Sequence, residues 1–182
     1  MVNREVRLVI LCEDLQQEVF ARTFFLRRGF ERRKIRSKVN PKGKGSGEQW
    51  VRECYPLEVQ AYRRKNAENV CLAVITDADL THTVQERLHQ LDKVLETSGH
   101  EKRQPHERIA IFTPKRNIET WIHYLMTGVT EDEETEYPHF RGNEGRCKSY
   151  VEKLVEEICP KGLPEDAPPS LQAACQELQR IH

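Results

Sequence analysis

The sequence has no run of about 18 apolar residues and no apolar signal core behind Met1, which argues against a membrane span and a secretory signal. It has no CxxC pair, so neither a zinc ribbon nor a small disulfide scaffold is expected. Its cysteines, which should be reduced and packed, are Cys12, Cys54, Cys71, Cys147, Cys159 and Cys175. A Walker A motif is absent, so no nucleoside triphosphatase activity is expected. These absences predict a cytoplasmic, soluble protein without membrane attachment.

The charge of the chain is balanced overall but uneven along its length. The 182 residues suit one domain, and charged residues make up 32% of them against 37% hydrophobic residues. The net charge is zero, yet residues 1–65 contain 16 Lys and Arg with 8 Asp and Glu, whereas residues 66–182 contain 13 and 21. A positively charged first third is expected to face a polyanion.

Short apolar runs alternate with helical periodicity along most of the chain. Strands are predicted over residues 7–12, 30–38, 70–76 and 108–113, and helices follow each of them. The first helix is expected to present one face made of Leu15, Val19, Phe20, Thr23, Phe24 and Leu26. This order predicts an α/β, Rossmann-like fold with a mostly parallel sheet of about four strands and helices on both faces.

The chain is expected to divide near residue 160. Residues 1–159 should form the α/β domain, with a last helix over about 148–158. Residues 160–182 should form a proline-rich linker and a C-terminal helix. That helix either completes the core or docks a partner, and docking is the preferred interpretation.

Acidic residues stand where three of the predicted strands end. Glu13 follows the first strand, and Asp77 and Asp79 follow the third. Glu119 comes just after the fourth, behind the predicted N-cap Asn117. Ligands of open α/β sheets bind at this edge, and carboxylates about 4 Å apart repel by roughly 4 kcal/mol unless a cation lies between them. Oxygen-only ligands favour Mg²⁺ or Mn²⁺, although Asp79 and Glu119 are explained equally well as acids that stabilise helix dipoles.

The segments LVILCED, VITDADLT and IFTPKRNIETW resemble the Toprim domain, in particular its small-nuclease branch related to the overcoming-lysogenization-defect and RloB-like families. In that fold a glutamate follows the first strand and a DxD motif follows the third, as Glu13 and Asp77-Ala78-Asp79 do here. Asp14 stands where the family usually has glycine, which either adds a ligand or loosens the match. A Pro-x-x-x-Glu-x-Trp-like element of the RloB-like members is matched by Pro114, Asn117, Glu119 and Trp121.

The resemblance covers about residues 5–155 and implies a Toprim-like fold with Mg²⁺- or Mn²⁺-dependent endonuclease activity on DNA or RNA. It implies that Glu13, Asp77, Asp79 and Glu119 hold the metal and that Lys148 stabilises the transition state. Relatives of this kind act beside an ABC or SMC-like ATPase in bacterial antiphage defence, so such a partner is implied too. A homo-oligomer is an open alternative to a monomer.

Basic residues are dense between Arg22 and Lys44, where ten Lys or Arg accompany the single acid Glu31. Such density predicts contacts to nucleic-acid phosphates, or else a charged surface that prevents aggregation. The residues predicted to bind nucleic acid are Arg28, Arg32, Arg33, Lys42, Lys44, Lys115 and Arg116. The glycine loop 43–47 either cradles a phosphate or is a flexible turn. His82 and His123 are the histidines nearest to the acids in sequence.

Two other functions remain open from the residues alone. Asp77-Ala78-Asp79-Leu80-Thr81 also matches the DxDxT motif of haloacid-dehalogenase-like phosphatases, in which Asp77 would be the nucleophile. That interpretation lacks a downstream GDxxxD motif. The other alternative is a non-catalytic subunit that binds nucleic acid through its basic residues while the acids serve as helix caps.

Overall fold

The computed structural model describes residues 6–42, 44–65, 69–129 and 132–181. Its four strands are Arg7–Cys12 (β1), Ile35–Val39 (β2), Val70–Ile75 (β3) and Ile109–Phe112 (β4). They form one sheet in the order β2-β1-β3-β4, and every neighbouring pair is parallel. The described α-helices are Leu15–Arg27 (α1), Gly47–Arg64 (α2), Val84–Thr97 (α3), Ile118–Thr127 (α4), Lys148–Lys153 (α5) and Pro169–Leu178 (α6). The predicted fold class is confirmed.

Each face of the sheet has its own hydrophobic core because successive side chains of a strand point to opposite faces. On one face, Ile10 and Ala73 pack with residues of α1, α4, α5 and α6. On the other face, Leu11 and Val74 pack with residues of α2 and α3. The β3 strand is buried along its whole length, as expected for a parallel strand covered on both faces. No helix among the described residues is long and apolar enough to cross a bilayer.

The outer edge of β4 is covered by side chains of the C-terminal region. The Glu177 carboxylate on α6 accepts a hydrogen bond from the Ile111 amide, with an N–O distance of 2.9 Å. Arg103 donates to the Ile109 carbonyl at 3.0 Å and pairs with Glu177. The apolar face of α6 is buried, with Leu171 only 3% exposed. This face is therefore covered within the chain and completes the core, so the preference for docking a partner is wrong.

Three elements differ from their predicted form. β2 begins only at Ile35, since residues 32–34 form a 3-10 turn. The helix expected over 148–158 changes to a π-helical turn at Leu154–Ile158. In α1 the side chain of Gln17 is fully buried while Leu15 is 47% exposed. The first turn of α1 directs the Gln17 side chain inward because this side chain hydrogen-bonds to Glu13 after β1 and to Asp77 after β3.

Candidate active site at the carboxyl edge of the sheet

Glu13 follows β1 directly and is anchored by its neighbour strand. Its Oε1 accepts hydrogen bonds from the Thr76 hydroxyl and the Asp77 amide, both at 2.7 Å. Gly47 opens α2 so close by that a Cβ there would lie 2.7 Å from the Cβ of Glu13. Only glycine permits this approach of α2. Burial raises the pKa of Glu13 to about 7, against the opposing effect of those two hydrogen bonds, and the charge of Asp14 adds to the rise.

Asp77 follows β3, and its side chain is held by a hydrogen bond from α1. The Gln17 amide nitrogen donates to Asp77 Oδ1, and its amide oxygen accepts from the Glu13 backbone N–H, both at 2.9 Å. Gln17 therefore ties the two strand ends together. Burial, together with the negative charges of Glu13, Asp14 and Glu119, raises the pKa of Asp77 well above its usual range.

The two strand-end carboxylates share a further property. Among the described residues, no lysine or arginine forms an ion pair with Glu13 or Asp77, and no group donates a hydrogen bond to Glu13 Oε2 or Asp77 Oδ2. Each acid thus has one oxygen fixed by the protein and one left to accept a ligand. Asp14 has a different role, since its Oδ1 accepts a hydrogen bond from the backbone N–H of Gln17 at 2.8 Å and so caps the N-terminus of α1.

Glu119 supplies a third carboxylate from the first turn of α4. It is 3% exposed, and its Oε1 lies 2.7 Å from Nδ1 of His139. Its charge contributes to the raised pKa of Asp77. His139 lies in an irregular segment without any periodic signal, and sequence reasoning missed it. His123 instead stacks on Tyr137, with ring centroids 3.9 Å apart.

Asp79 is directed into its own loop. Its backbone has φ of 61°, a left-handed conformation that non-glycine residues rarely adopt. Oδ1 accepts from the amide and hydroxyl of Thr81 at 2.7 and 2.6 Å, and Oδ2 accepts from Arg87 at 3.2 Å. Burial alone would raise the pKa of Asp79, but these contacts outweigh it and lower the pKa. Asp79 is therefore bound to partners of its own rather than joined to Glu13 and Asp77.

Arg87 fixes the loop that carries Asp77 and Asp79. The residue is 2% exposed, and its Nε donates to the Asp77 carbonyl at 2.9 Å. Its Nη1 pairs with Glu48, near the start of α2, at 2.6 Å. This buried guanidinium links α2, α3 and the end of β3. Its position in the first turn of an amphipathic helix gave no sign of that role.

The predicted cations after β4 also hold loops. Lys115 Nζ donates to the carbonyls of Asp79 and His82, each at 2.9 Å. Arg116 donates to the Glu134 carbonyl at 2.8 Å and pairs with Glu136 at 3.1 Å. Both side chains are therefore engaged in the structure that surrounds the acids.

The remaining predicted cations are divided between the two ends of the sheet. Arg28, Arg32 and Arg33 precede β2 and lie at the amino end. Lys42 and Lys44 follow β2 and lie at the carboxyl end, exposed. A six-residue strand such as β1 separates these ends by about 20 Å. Gly43 of the glycine loop lies outside the described residues.

Lys148 stands at the same edge as the acids. The turn before it packs on the start of α1, where the Gln16 amide donates to the Glu144 carbonyl at 3.2 Å. Lys148 is the first residue of α5 and is exposed, and no described acid pairs with it. Its placement beside the start of α1 leaves its ammonium group available to a ligand.

The donors at this edge have the right chemistry for Mg²⁺ or Mn²⁺. Glu13 and Asp77 are joined through the Asp77 amide, the charge of Glu119 acts on Asp77, and neither Glu13 nor Asp77 forms an ion pair with a described lysine or arginine. In the described ranges, no three His, Cys, Asp or Glu side chains are already arranged as a metal cage. Mg²⁺ does not need one, because it commonly takes one or two protein carboxylates and completes its shell with water and substrate oxygens.

Comparisons with protein-family models, with curated proteins and with solved structures found no match for this chain.

Proposed function

We propose that this protein is a Mg²⁺- or Mn²⁺-dependent nuclease that hydrolyses phosphodiester bonds at the carboxyl edge of its sheet. The observation that carries the proposal is the pair Glu13 and Asp77. They stand at adjacent parallel strand ends, joined by the hydrogen bond from the Asp77 amide to Glu13 Oε1, and each keeps one carboxylate oxygen to which no described residue donates. Such a pair repels itself until a cation joins it.

Each residue at this edge would have its own role in metal binding or in catalysis. Glu13 and Asp77 would hold the metal through their free oxygens, while Gln17 keeps both strand ends in register. A divalent metal bound there supplies a Lewis acid for the phosphate and lowers the pKa of an attacking water. Lys148 would stabilise negative charge developing on the phosphoryl oxygens. Glu119 would complete the anionic edge and orient His139.

Nucleic acid is the substrate class that the neighbouring charge supports best. Lys42 and Lys44 are exposed at the same end of the sheet as the acids, and the charge of Lys42 lowers the pKa of Glu144. Arg28, Arg32 and Arg33 lie about a strand length away, so they would contact a phosphate several nucleotides along a bound strand. An ABC or SMC-like ATPase partner in antiphage defence is part of this proposal through the resemblance to Toprim nucleases alone.

The test combines metal binding with cleavage. Wild-type protein should bind Mn²⁺ in calorimetry and cleave at least one of four labelled substrates, single- or double-stranded DNA or RNA, with cleavage abolished by EDTA. Glu13→Gln and Asp77→Asn should each reduce cleavage by about 100-fold or more. Glu157→Gln and Asp166→Asn are the matched controls, since both acids are exposed and distant from the edge.

Two results would contradict the proposal. One is wild-type protein that takes up no Mn²⁺ in calorimetry. The other is cleavage that survives both substitutions at the strand ends. Nucleic-acid binding without turnover would favour the non-catalytic alternative, and a phosphoaspartyl group trapped on Asp77 would favour the phosphatase.

A further inference from the structure

Two cysteines from separate segments lie side by side, away from the acidic edge. Cys159 begins the 3-10 turn Cys159–Lys161 that follows the π-helical turn, and Cys175 lies within α6. Both thiols line a surface pocket of about 460 Å³ together with Arg28. Both also line an apolar cavity of about 50 Å³ between α1 and α6. The two sulfur atoms therefore stand in the wall between the core and an opening to solvent.

Cys159 and Cys175 are neighbours, since both line the same pocket and the same cavity. Hydrogen bonding with Cys175 lowers the pKa of Cys159 despite its burial, and the positive charge of Arg28 acts in the same direction. The same contact and burial raise the pKa of Cys175. Cys159 is thus the sulfur that carries thiolate character, with a second thiol in contact.

We propose that Cys159 and Cys175 form a thiol–disulfide exchange site that accepts small-molecule disulfides and closes to a disulfide between α6 and the segment after α5. In the first step the Cys159 thiolate attacks glutathione disulfide, forms a mixed disulfide and releases one glutathione thiolate. In the second step Cys175 loses its proton to solvent, attacks the Cys159 sulfur and releases the second glutathione. Two protein thiols are oxidised and one glutathione disulfide is reduced.

The surroundings distinguish this pair from the other cysteines. Cys12, Cys71 and Cys147 are buried, and Cys54 lies on α2, on the other face of the sheet. Cys159 and Cys175 instead line one pocket that opens to solvent. The bond would fasten α6, whose Glu177 covers the edge of β4. It would also close a loop of roughly 15 residues and so constrain the unfolded chain.

The test is exchange of the reduced protein with excess glutathione disulfide, followed by intact mass spectrometry and peptide mapping. The expected product is about 2 Da lighter than the reduced protein, carries no glutathione, and contains a linked peptide pair with Cys159 and Cys175. Its melting temperature should rise by about 5 °C, and dithiothreitol should reverse both changes. Glutathione retained on Cys159, an unreacted protein or a bond to another cysteine would overturn the proposal.

Single substitutions separate the roles of the two sulfurs. Cys175→Ser should trap glutathione on Cys159, because the resolving thiol is gone. Cys159→Ser should slow glutathionylation by about 10-fold or more, since burial still raises the pKa of the remaining Cys175 thiol. Cys54→Ser is the matched control and should still form the bond. Equal reaction rates for the Cys159→Ser and Cys175→Ser variants would refute the assignment of Cys159 as the attacking group.

Arg28 gives an independent readout of the same site. Arg28→Gln should raise the pH midpoint for iodoacetamide alkylation of Cys159, because the nearby positive charge is lost. Arg32→Gln is the matched control, since Arg32 is exposed and lies outside the pocket. An alkylation profile that Arg28→Gln leaves unchanged would contradict the electrostatic part of the proposal.

Discussion

The two ends of the sheet both contain partly buried carboxylates, but the protein treats them in opposite ways. At the amino end, Glu107 accepts from Arg63 at 2.6 and 3.1 Å and from the Gln104 amide at 2.7 Å. Burial alone would raise its pKa, but these contacts lower it. At the carboxyl end, Glu13 and Asp77 have no described cationic side chain paired with them, and their pKa values are raised.

This contrast separates acids that stabilise the fold through a paired cationic side chain from acids that have no such partner among the described residues. A carboxylate that only supports structure gains from a fixed guanidinium, as Glu107 does. The charge of Arg87 opposes the rise in the pKa of Glu13 only as the last of its causes, because the Arg87 donors go to two backbone carbonyls, Gln90, Asp79 and Glu48. A cation-binding site requires adjacent acids whose negative charge is not already paired with a lysine or arginine, as at Glu13 and Asp77.

The largest effect is expected from removing one acid at the carboxyl end. Glu13→Gln should reduce Mn²⁺-dependent cleavage by about 100-fold or more because it removes a ligand and its charge. The same variant should be as stable as wild type or more stable in urea at pH 8, since the repulsion with Asp77 is lost. A variant that is inactive because it has unfolded would show a lower urea midpoint, which contradicts the prediction.

Removing the acid at the amino end should have the reverse outcome. Glu107→Gln leaves the Arg63 guanidinium without its charged partner and should reduce the free energy of unfolding by about 1–3 kcal/mol. Cleavage measured at a temperature where the variant is folded should be unchanged. The readouts are urea denaturation and the nuclease assay, and a loss of activity by the folded variant would break the comparison.

The two ends should also differ in the sign of their pH dependence. The raised pKa of Glu13, about 7, means that its contribution to stability is complete below the unfolded value of 4.5 and is lost as the pH rises through 7. The lowered pKa of Glu107 gives the opposite sign, a contribution lost as the pH falls below 4.5. The metal-free protein should therefore lose about 1–3 kcal/mol between pH 5 and 8 relative to Glu13→Gln.

Urea denaturation across this pH range is the measurement. Mn²⁺ added at pH 8 should restore the stability of wild-type protein but not that of Glu13→Gln, because binding to the folded state alone is stabilising. A wild-type curve parallel to that of Glu13→Gln from pH 5 to 8 would show that the carboxyl-end acids are compensated after all.

How far the sequence predicts this site depends on whether a residue is placed by its own strand or by distant packing. Glu13 and Asp77 could be placed because each directly follows an apolar run, and parallel strands end at one edge. Gln17 was missed because an interior glutamine breaks the apolar pattern of α1. His139 was missed because nothing in an irregular segment indicates its contact with Glu119.

The fold followed from periodicity more fully than the contacts did. Four strands and their helices are visible as runs and repeats, whereas the pairing of Cys159 with Cys175 depends on where α6 packs. Arg32 and Arg33 were grouped with the site because the strand was predicted over residues 30–38, whereas β2 begins only at Ile35 and leaves them before the strand, at the amino end. A single strand length separates Arg32 from Glu13 in space.

The smallest effect is expected at Asp79, the acid whose sequence position is as suggestive as that of Asp77. Asp79→Asn keeps a residue type that tolerates the left-handed backbone and keeps an acceptor for Thr81. It removes only the charge that pairs with Arg87. Because the carboxylate is directed into its own loop, Mn²⁺ affinity should change by less than about 10-fold, against about 100-fold or more for Asp77→Asn. Calorimetry of the two variants side by side decides the matter, since equal losses would place Asp79 among the metal ligands and would mean that its loop rearranges when the cation binds.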